Sequence, residues 1–184
     1  MFDFDISELR QSYAEKRTAW FNSLGTINTI PNNEKTRAVI LDYCGFEGYG
    51  DKNDALDDLK IKITEWRTFT DPVTLYRIVG VRNEQEIITD KPGLHWTPYH
   101  NQLNDVANSI GMDMWENDLE PYLIKARVHL RDIDVAQTII QNLSFPNECE
   151  ITLKEGVRPI CVRTCAFDWR QTKYFAIMEG KDVL

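Results

Sequence analysis

The chain lacks any apolar run long enough to cross a membrane, which takes about 20 consecutive residues. Its first residues, 1–5, have neither the basic start nor the apolar stretch of a secretory signal. We therefore expect a cytoplasmic protein that has no membrane partner.

Motifs of several common enzyme classes are also missing. The sequence contains no Gly-x-Gly-x-x-Gly and no phosphate loop with Gly-Lys-Ser/Thr, so neither a Rossmann nor a P-loop nucleotide site is predicted. The Gly-x-Ser-x-Gly elbow of serine hydrolases is absent as well. Any nucleotide chemistry must therefore use another kind of site.

Residues that commonly bind metals are few, with four cysteines and three histidines. Cys161 and Cys165 are four positions apart but have no matching second pair. His95 and His100 are five positions apart, which fits neither adjacent turns of a helix nor one side of a strand. We expect no metal site, and thiols that are reduced and mostly buried.

The composition is that of one ordinary globular domain. The chain has 184 residues, of which 42% are hydrophobic and 27% charged. Its formal net charge of -8 argues against a broad nucleic-acid-binding face. There is no clean linker, so we assign residues 1–184 to a single domain.

Hydrophobic periodicity predicts that residues 1–70 are helical. A first helix begins with a possible capping box, Asp5 with Glu8, and ends at Gly25. A second is predicted for Glu34–Cys44. A third begins near residue 51 and places four apolar side chains on one face: Leu56, Leu59, Ile63 and Trp66.

After Asp71-Pro72 the pattern becomes that of strands, rich in β-branched and aromatic residues. Helices are predicted within Leu103–Ile110 and Asp132–Asn142. Strands are predicted at Val73–Val81, Glu86–Thr89, Tyr122–Leu130, Glu148–Leu153, Arg158–Cys165 and Trp169–Met178. The expected fold class is α+β, with N-terminal helices followed by a mainly antiparallel sheet core in residues 71–184.

Three segments carry the residues that we single out for chemistry: Leu75-Tyr76-Arg77, Leu94-His95-Trp96-Thr97, and Phe145-Pro146-Asn147-Glu148-Cys149-Glu150. None is specific alone, because Glu84-Gln85-Glu86 is also a Glu-x-Glu. Their order is informative: an arginine on a strand, then a turn and a hydroxyl-bearing segment, then paired glutamates.

This set resembles the arginine–serine–glutamate class of ADP-ribosyltransferases, and its small bacteriophage and bacterial members most of all. There the first strand carries a Leu-Tyr-Arg-type motif, the middle motif is Ser-Thr-Ser or His-Trp-Thr, and Glu-x-Glu follows a Pro-Asn turn. The resemblance runs from Leu75 to the C-terminus and departs where Thr97 is followed by Pro98 instead of serine. It implies the two-sheet core of the ADP-ribosyltransferase fold, with NAD as co-substrate and no metal.

The resemblance also implies a role for each residue. Glu150 would be the essential catalytic glutamate, and Glu148 would orient or deprotonate the acceptor. Phe145 would lie in the loop that contacts the protein target, and Thr97 would position Glu150 or the nicotinamide ribose. The residues expected to bind NAD are Arg77, Tyr76, His95 and Thr97.

Physical chemistry supports these assignments independently. A guanidinium fork matches the phosphate oxygens of NAD better than an ammonium does. Cleavage of the nicotinamide–ribose bond develops an oxocarbenium-like cation, which a fixed carboxylate stabilises. On a strand, Glu148 and Glu150 would face one cleft, because residues two apart point to the same side. Each residue also has a structural interpretation, such as a surface ion pair for Arg77 or a solvated strand face for the glutamates.

The implied function is mono-ADP-ribosyl transfer from NAD to a protein side chain, with release of nicotinamide. Arginine is the expected acceptor. A phage origin would make a host protein the acceptor, in the host cytoplasm. Two alternatives remain open. One is an NAD glycohydrolase that uses the same site with water. The other is a non-catalytic acidic protein of phage type that binds and inhibits a host factor.

Overall fold

The computed structural model describes residues 15, 19–21, 23–44, 52–87, 93–99, 103, 117–145 and 148–166. The predicted capping box at Asp5 and Glu8 and the predicted strand at Trp169–Met178 lie outside these residues, and so does most of the predicted helix Leu103–Ile110. The described part is mixed helix and antiparallel sheet, which confirms the α+β class.

The early helices follow the predicted pattern. Helical residues before Gly25 end there, where the backbone takes a φ of 75° that favours glycine. Helix α1 covers Glu34–Cys44 and helix α2 covers Lys52–Trp66. The four apolar residues predicted for one face of α2 are all buried. They stabilise the domain by removing apolar surface from water.

The larger sheet has three strands in the order β1-β3-β5, all antiparallel. Strand β1 is Val73–Val81, β3 is Glu120–Val128 and β5 is Ile160–Ala166. Val73 and Leu75, two positions apart on β1, belong to the buried apolar cluster, and Tyr76 and Ile78 of the opposite parity are buried as well.

A smaller sheet joins β2, His95–Trp96, to β4, Ile151–Thr152. His95 is paired with Thr152, and Trp96 with Ile151. The residue after β2, Thr97, makes two backbone hydrogen bonds with Tyr76 of β1, of 2.8 and 2.9 Å. The two sheets are therefore connected at the point where the first two sequence motifs meet.

Helix α3, Val135–Ser144, lies against β4 and confirms the helix predicted within residues 132–142. The Asp134 side chain caps it by accepting a hydrogen bond from the backbone N–H of Gln137. A single cluster of buried apolar side chains joins α1, α2, α3 and both sheets; it includes Ile40, Leu59, Trp66, Leu75, Ile139 and Ile151. No helix among the described residues has the length and apolar character needed to cross a membrane.

Two strand predictions are wrong in part. No strand begins at Glu86, because Glu84–Glu86 forms a 3-10 turn that the Asn83 side chain caps. The strand predicted from Glu148 begins only at Ile151. Glu148 lies in a helical turn, and Cys149 has a left-handed φ of 47°. The two glutamates are therefore not alternate residues of one extended strand.

Candidate active site

Three distant segments bring one arginine, one histidine and one glutamate together. Strand β1 supplies Arg77, β2 supplies His95, and the residue just before β4 is Glu150. Pairing of β2 with β4, and of Thr97 with Tyr76 on β1, sets this neighbourhood through the backbone. The three side chains thus meet where the two sheets join.

Arg77 is held by the backbone of the second motif. Its Nη1 donates a hydrogen bond of 2.5 Å to the carbonyl oxygen of His95. Gly93 leaves the necessary space, because a Cβ at that position would lie 2.7 Å from the Cζ and Nη2 atoms of Arg77. Within the described part of the chain, the buried Nε of Arg77 has no hydrogen-bond partner.

The charge of Arg77 is partly desolvated and partly balanced. Burial lowers the pKa of the Arg77 guanidinium, and the nearby Glu150 carboxylate acts in the opposite direction. The Arg77 guanidinium nevertheless stays protonated, because arginine does not lose its proton in proteins. The site therefore presents a fixed cation close to a fixed carboxylate.

His95 connects the two charged side chains through different atoms. Its carbonyl oxygen accepts from Arg77, while its ring Nδ1 hydrogen-bonds to Oε1 of Glu150. An ionised carboxylate can only accept, so Nδ1 carries the proton when Glu150 is charged. The His95 side chain is 50% exposed, so part of it is accessible to a ligand.

Glu150 is buried and held by further polar groups. Its Oε1 accepts a second hydrogen bond, of 2.9 Å, from the Thr152 hydroxyl. Its backbone carbonyl accepts one of 2.6 Å from the Asn142 side chain of α3. The carboxylate is thus restrained in both position and orientation, while 11% of the side chain still reaches the surface.

Thr97 and Tyr76 are the two buried residues whose backbone pairing connects the sheets. The Thr97 hydroxyl accepts a hydrogen bond of 3.3 Å from the backbone N–H of Tyr99, and Thr97 is 2% exposed. Tyr76 is also buried, and the Lys125 ammonium lies 5.9 Å from the centre of its ring. In the segment Leu94–Thr97, the side chain that hydrogen-bonds to Glu150 is that of His95. The Thr97 hydroxyl instead accepts from the nearby backbone N–H of Tyr99.

Glu148 and Phe145 lie on the turn between α3 and β4. Phe145 follows the last turn of α3 and is 49% exposed. The backbone N–H of Glu148 donates to the carbonyl of Phe145 at 3.2 Å, and Glu148 is half-buried. Both residues predicted to meet the acceptor therefore belong to one short turn beside Glu150.

Several residues near the site were not identified from the sequence. The Tyr99 hydroxyl donates a hydrogen bond of 2.6 Å to Glu65 of α2, and burial together with Glu65 raises the pKa of Tyr99. Thr152 was also missed, although it stands two residues after Glu150, the spacing of one strand face. Asn142 belongs to none of the sequence motifs. The packing of α3 against β4 brings it to Glu150, so the local sequence gives no signal for it.

Comparison with models of protein families gave no match, and neither did comparison with curated proteins or with solved structures. Function is therefore argued from the site itself, since a fold class alone hosts many activities. Among the described residues, no three His, Cys, Asp or Glu side chains come together as a possible metal site.

Proposed function

We propose that this chain is an NAD-dependent mono-ADP-ribosyltransferase that modifies a side chain of another protein, with arginine as the proposed acceptor. One observation carries the proposal: His95 joins Arg77 to Glu150, which places a fixed cation and a fixed carboxylate side by side. The three residues come from segments that stand in the order typical of the arginine–serine–glutamate class. Their polar groups suit the pyrophosphate and the nicotinamide ribose of NAD, which are neighbouring parts of that molecule.

Arg77 would hold the pyrophosphate of NAD. A guanidinium matches phosphate oxygens with two parallel donors. An arginine that is already held on a core strand loses little conformational entropy when it binds a ligand. Of its three nitrogens, only Nη1 has a hydrogen-bond partner among the described residues. The remaining donor capacity and the partly desolvated charge favour an anion as the ligand.

Glu150 would act on the nicotinamide ribose. When the bond between the ribose C1′ and the nicotinamide nitrogen breaks, its electron pair leaves with nicotinamide and positive charge grows on the ribose. A carboxylate held in place stabilises that charge without reorganising during the reaction. The exposed part of His95, together with Thr97 and Tyr76, would line the ribose and nicotinamide side of the proposed NAD site.

Glu148 would serve the acceptor, and Phe145 would contact the target protein. The acceptor nitrogen bonds to C1′ and gives up a proton, which the Glu148 carboxylate can take or guide away. An arginine acceptor fits a carboxylate, because the two groups pair through parallel hydrogen bonds. We propose a protein of the host cytoplasm as the acceptor, in line with the small phage members that the motifs resemble.

The test uses the purified chain with NAD and a host lysate. Nicotinamide release and mass spectrometry of the lysate proteins are measured together. We expect release of nicotinamide and a protein that gains ADP-ribose. Free ADP-ribose without modified protein would instead indicate a glycohydrolase. Absence of both products would favour a protein that only binds and inhibits its partner.

Glu150→Gln links the activity to the site. We expect it to lower nicotinamide release by at least about a hundredfold, because loss of a preorganised charged group costs several kcal/mol in the transition state. Glu84→Gln is the matched control: it changes an exposed glutamate of the other Glu-x-Glu and should retain activity. Full activity in Glu150→Gln would contradict the assignment.

A further inference from the structure

Three buried polar side chains lie beneath Glu150. Thr138 and Asn142 of α3 are 0% exposed, and Thr152 of β4 is 3% exposed. Buried polar groups are stable only when they find hydrogen-bond partners, since they have lost water. Here each of the three has a partner in one short segment, residues 150–152. The Asn142 amide also donates to the Thr138 carbonyl, and its buried Oδ1 has no hydrogen-bond partner among the described residues. The cluster therefore holds the segment that carries the carboxylate.

Helix α3 fixes the backbone of this segment. The Asn142 amide donates to the carbonyl of Glu150 at 2.6 Å, and the Thr138 hydroxyl accepts from the N–H of Thr152 at 3.0 Å. Glu150 precedes β4 and follows the left-handed Cys149, so it lies outside the strand. The side chains of α3 therefore satisfy the carbonyl of Glu150 and the N–H of Thr152, as a neighbouring strand would in a sheet. The Cα of Glu150 is thus placed by α3.

Thr152 acts on the carboxylate itself. Its hydroxyl donates to Oε1, the same oxygen that the His95 ring contacts. The last torsion of a glutamate side chain is broad when nothing restrains it. Two donors on one oxygen, on residues that are paired across β2 and β4, select one orientation of the carboxylate. The other oxygen, Oε2, has no hydrogen-bond partner among the described residues.

We propose that Thr152 is a positioning residue that turns Glu150 so that Oε2 is the oxygen presented to the ribose. The inference rests on the proposed function, because it assigns the substrate-facing oxygen of the same carboxylate. Thr152 itself is buried behind Glu150 and does not touch the substrate. Its hydroxyl therefore affects the chemical step much more than the binding of NAD.

The test compares Thr152→Val, which is close in shape but has no hydroxyl, with Thr152→Ser, which keeps the donor. We expect Thr152→Val to lower kcat for nicotinamide release by about tenfold to a hundredfold, the range for a lost hydrogen bond to a charged group. The KM and the Kd for NAD should change by less than about threefold. Thr152→Ser should restore most of kcat. Thr152→Ala serves as a second hydroxyl-free variant, and melting temperatures establish which variants are folded.

A measurement without NAD completes the test. The carboxyl ¹³C signal of Glu150 should move in Thr152→Val and return in Thr152→Ser, because only the former frees the carboxylate. Unchanged kcat in both hydroxyl-free variants overturns the positioning role and leaves the proposed function standing. Equal losses of kcat in the Val and Ser variants also overturn it, since they indicate packing alone. If the wild type releases no nicotinamide, the proposed function fails first, and the role of Thr152 fails with it.

Discussion

At the scale of single residues, His95 contributes more than its place in a three-residue motif indicates. Its backbone orients Arg77 and its ring orients Glu150, so one residue couples the cation to the carboxylate. The resemblance implied that Thr97 would position Glu150 or the nicotinamide ribose, whereas the side chain of this segment that hydrogen-bonds to Glu150 is that of His95. A two-residue strand explains the difference, since it leaves His95 opposite Thr152 and next to Glu150.

Arg77 gives a prediction at this scale. Arg77→Lys keeps a positive charge but loses the planar fork and the bond to the His95 carbonyl, so NAD should bind about tenfold to a hundredfold more weakly. The Kd for NAD, measured by calorimetry, is the readout. Arg127→Lys, an exposed position on β3, is the control and should bind NAD as the wild type does. Equal affinities for Arg77→Lys and the wild type would contradict a phosphate-binding role.

At the scale of elements, the loop before β2 is shaped to fit over Arg77. Gly93 has a φ of 91°, and a side chain there would meet the guanidinium at 2.7 Å. The Trp96 indole donates a hydrogen bond of 3.0 Å to the Gly93 carbonyl, which fixes the loop on β2. The same short loop therefore needs glycine for its backbone conformation and for its contact with the site.

Gly93→Ala separates these two requirements when it is compared with Gly156→Ala. Both glycines have a positive φ, but a Cβ at Gly156 would meet no atom within 4 Å. Each substitution should lower the free energy of unfolding by about 1–2 kcal/mol through backbone strain. Only Gly93→Ala should also displace Arg77 and weaken NAD binding. Urea unfolding and NAD calorimetry measure the two effects, and equal NAD affinities in the two variants would contradict the contact.

At the scale of the whole molecule, Asp71 links the start of β1 to the end of β3 through hydrogen bonds. Its Oδ1 accepts a hydrogen bond of 3.0 Å from the backbone N–H of Leu130 and lies 3.1 Å from Nδ1 of His129. The backbone hydrogen bond from Leu130 is the main reason that the pKa of Asp71 is lowered. The two nine-residue strands are thus joined at their ends by a charged group.

The lowered pKa of Asp71 predicts a dependence of stability on pH. A carboxyl with a lower pKa in the folded state contributes full stability above its unfolded pKa, about 3.9. That contribution is lost as pH falls through the folded value. The stability difference between the wild type and Asp71→Asn should therefore shrink below about pH 4 in urea titrations. A stability difference between the wild type and Asp71→Asn that stays constant from about pH 7 to about pH 2.5 would contradict the prediction.

The local sequence determined where helices and strands form and which residues are capable of the proposed chemistry. Periodicity predicted α2, whose four apolar residues are buried on one face, and the run of β-branched and aromatic residues predicted β1. The motifs identified Arg77, His95 and Glu150, because few residue types can hold a phosphate or stabilise a cation. Their identity as candidates needed no knowledge of distant contacts.

Contacts between distant segments depended on the tertiary structure alone. Periodicity extended the last motif strand back to Glu148, but helix α3 and the left-handed Cys149 hold that turn out of the sheet. Asn142 and Thr138 reach residues 150–152 because α3 packs on β4, and no local pattern encodes which helix meets which strand. Strand register likewise placed His95, and not Thr97, against the carboxylate. These facts are set by the packing of the whole core, in which each pairing is stable only when the others are formed.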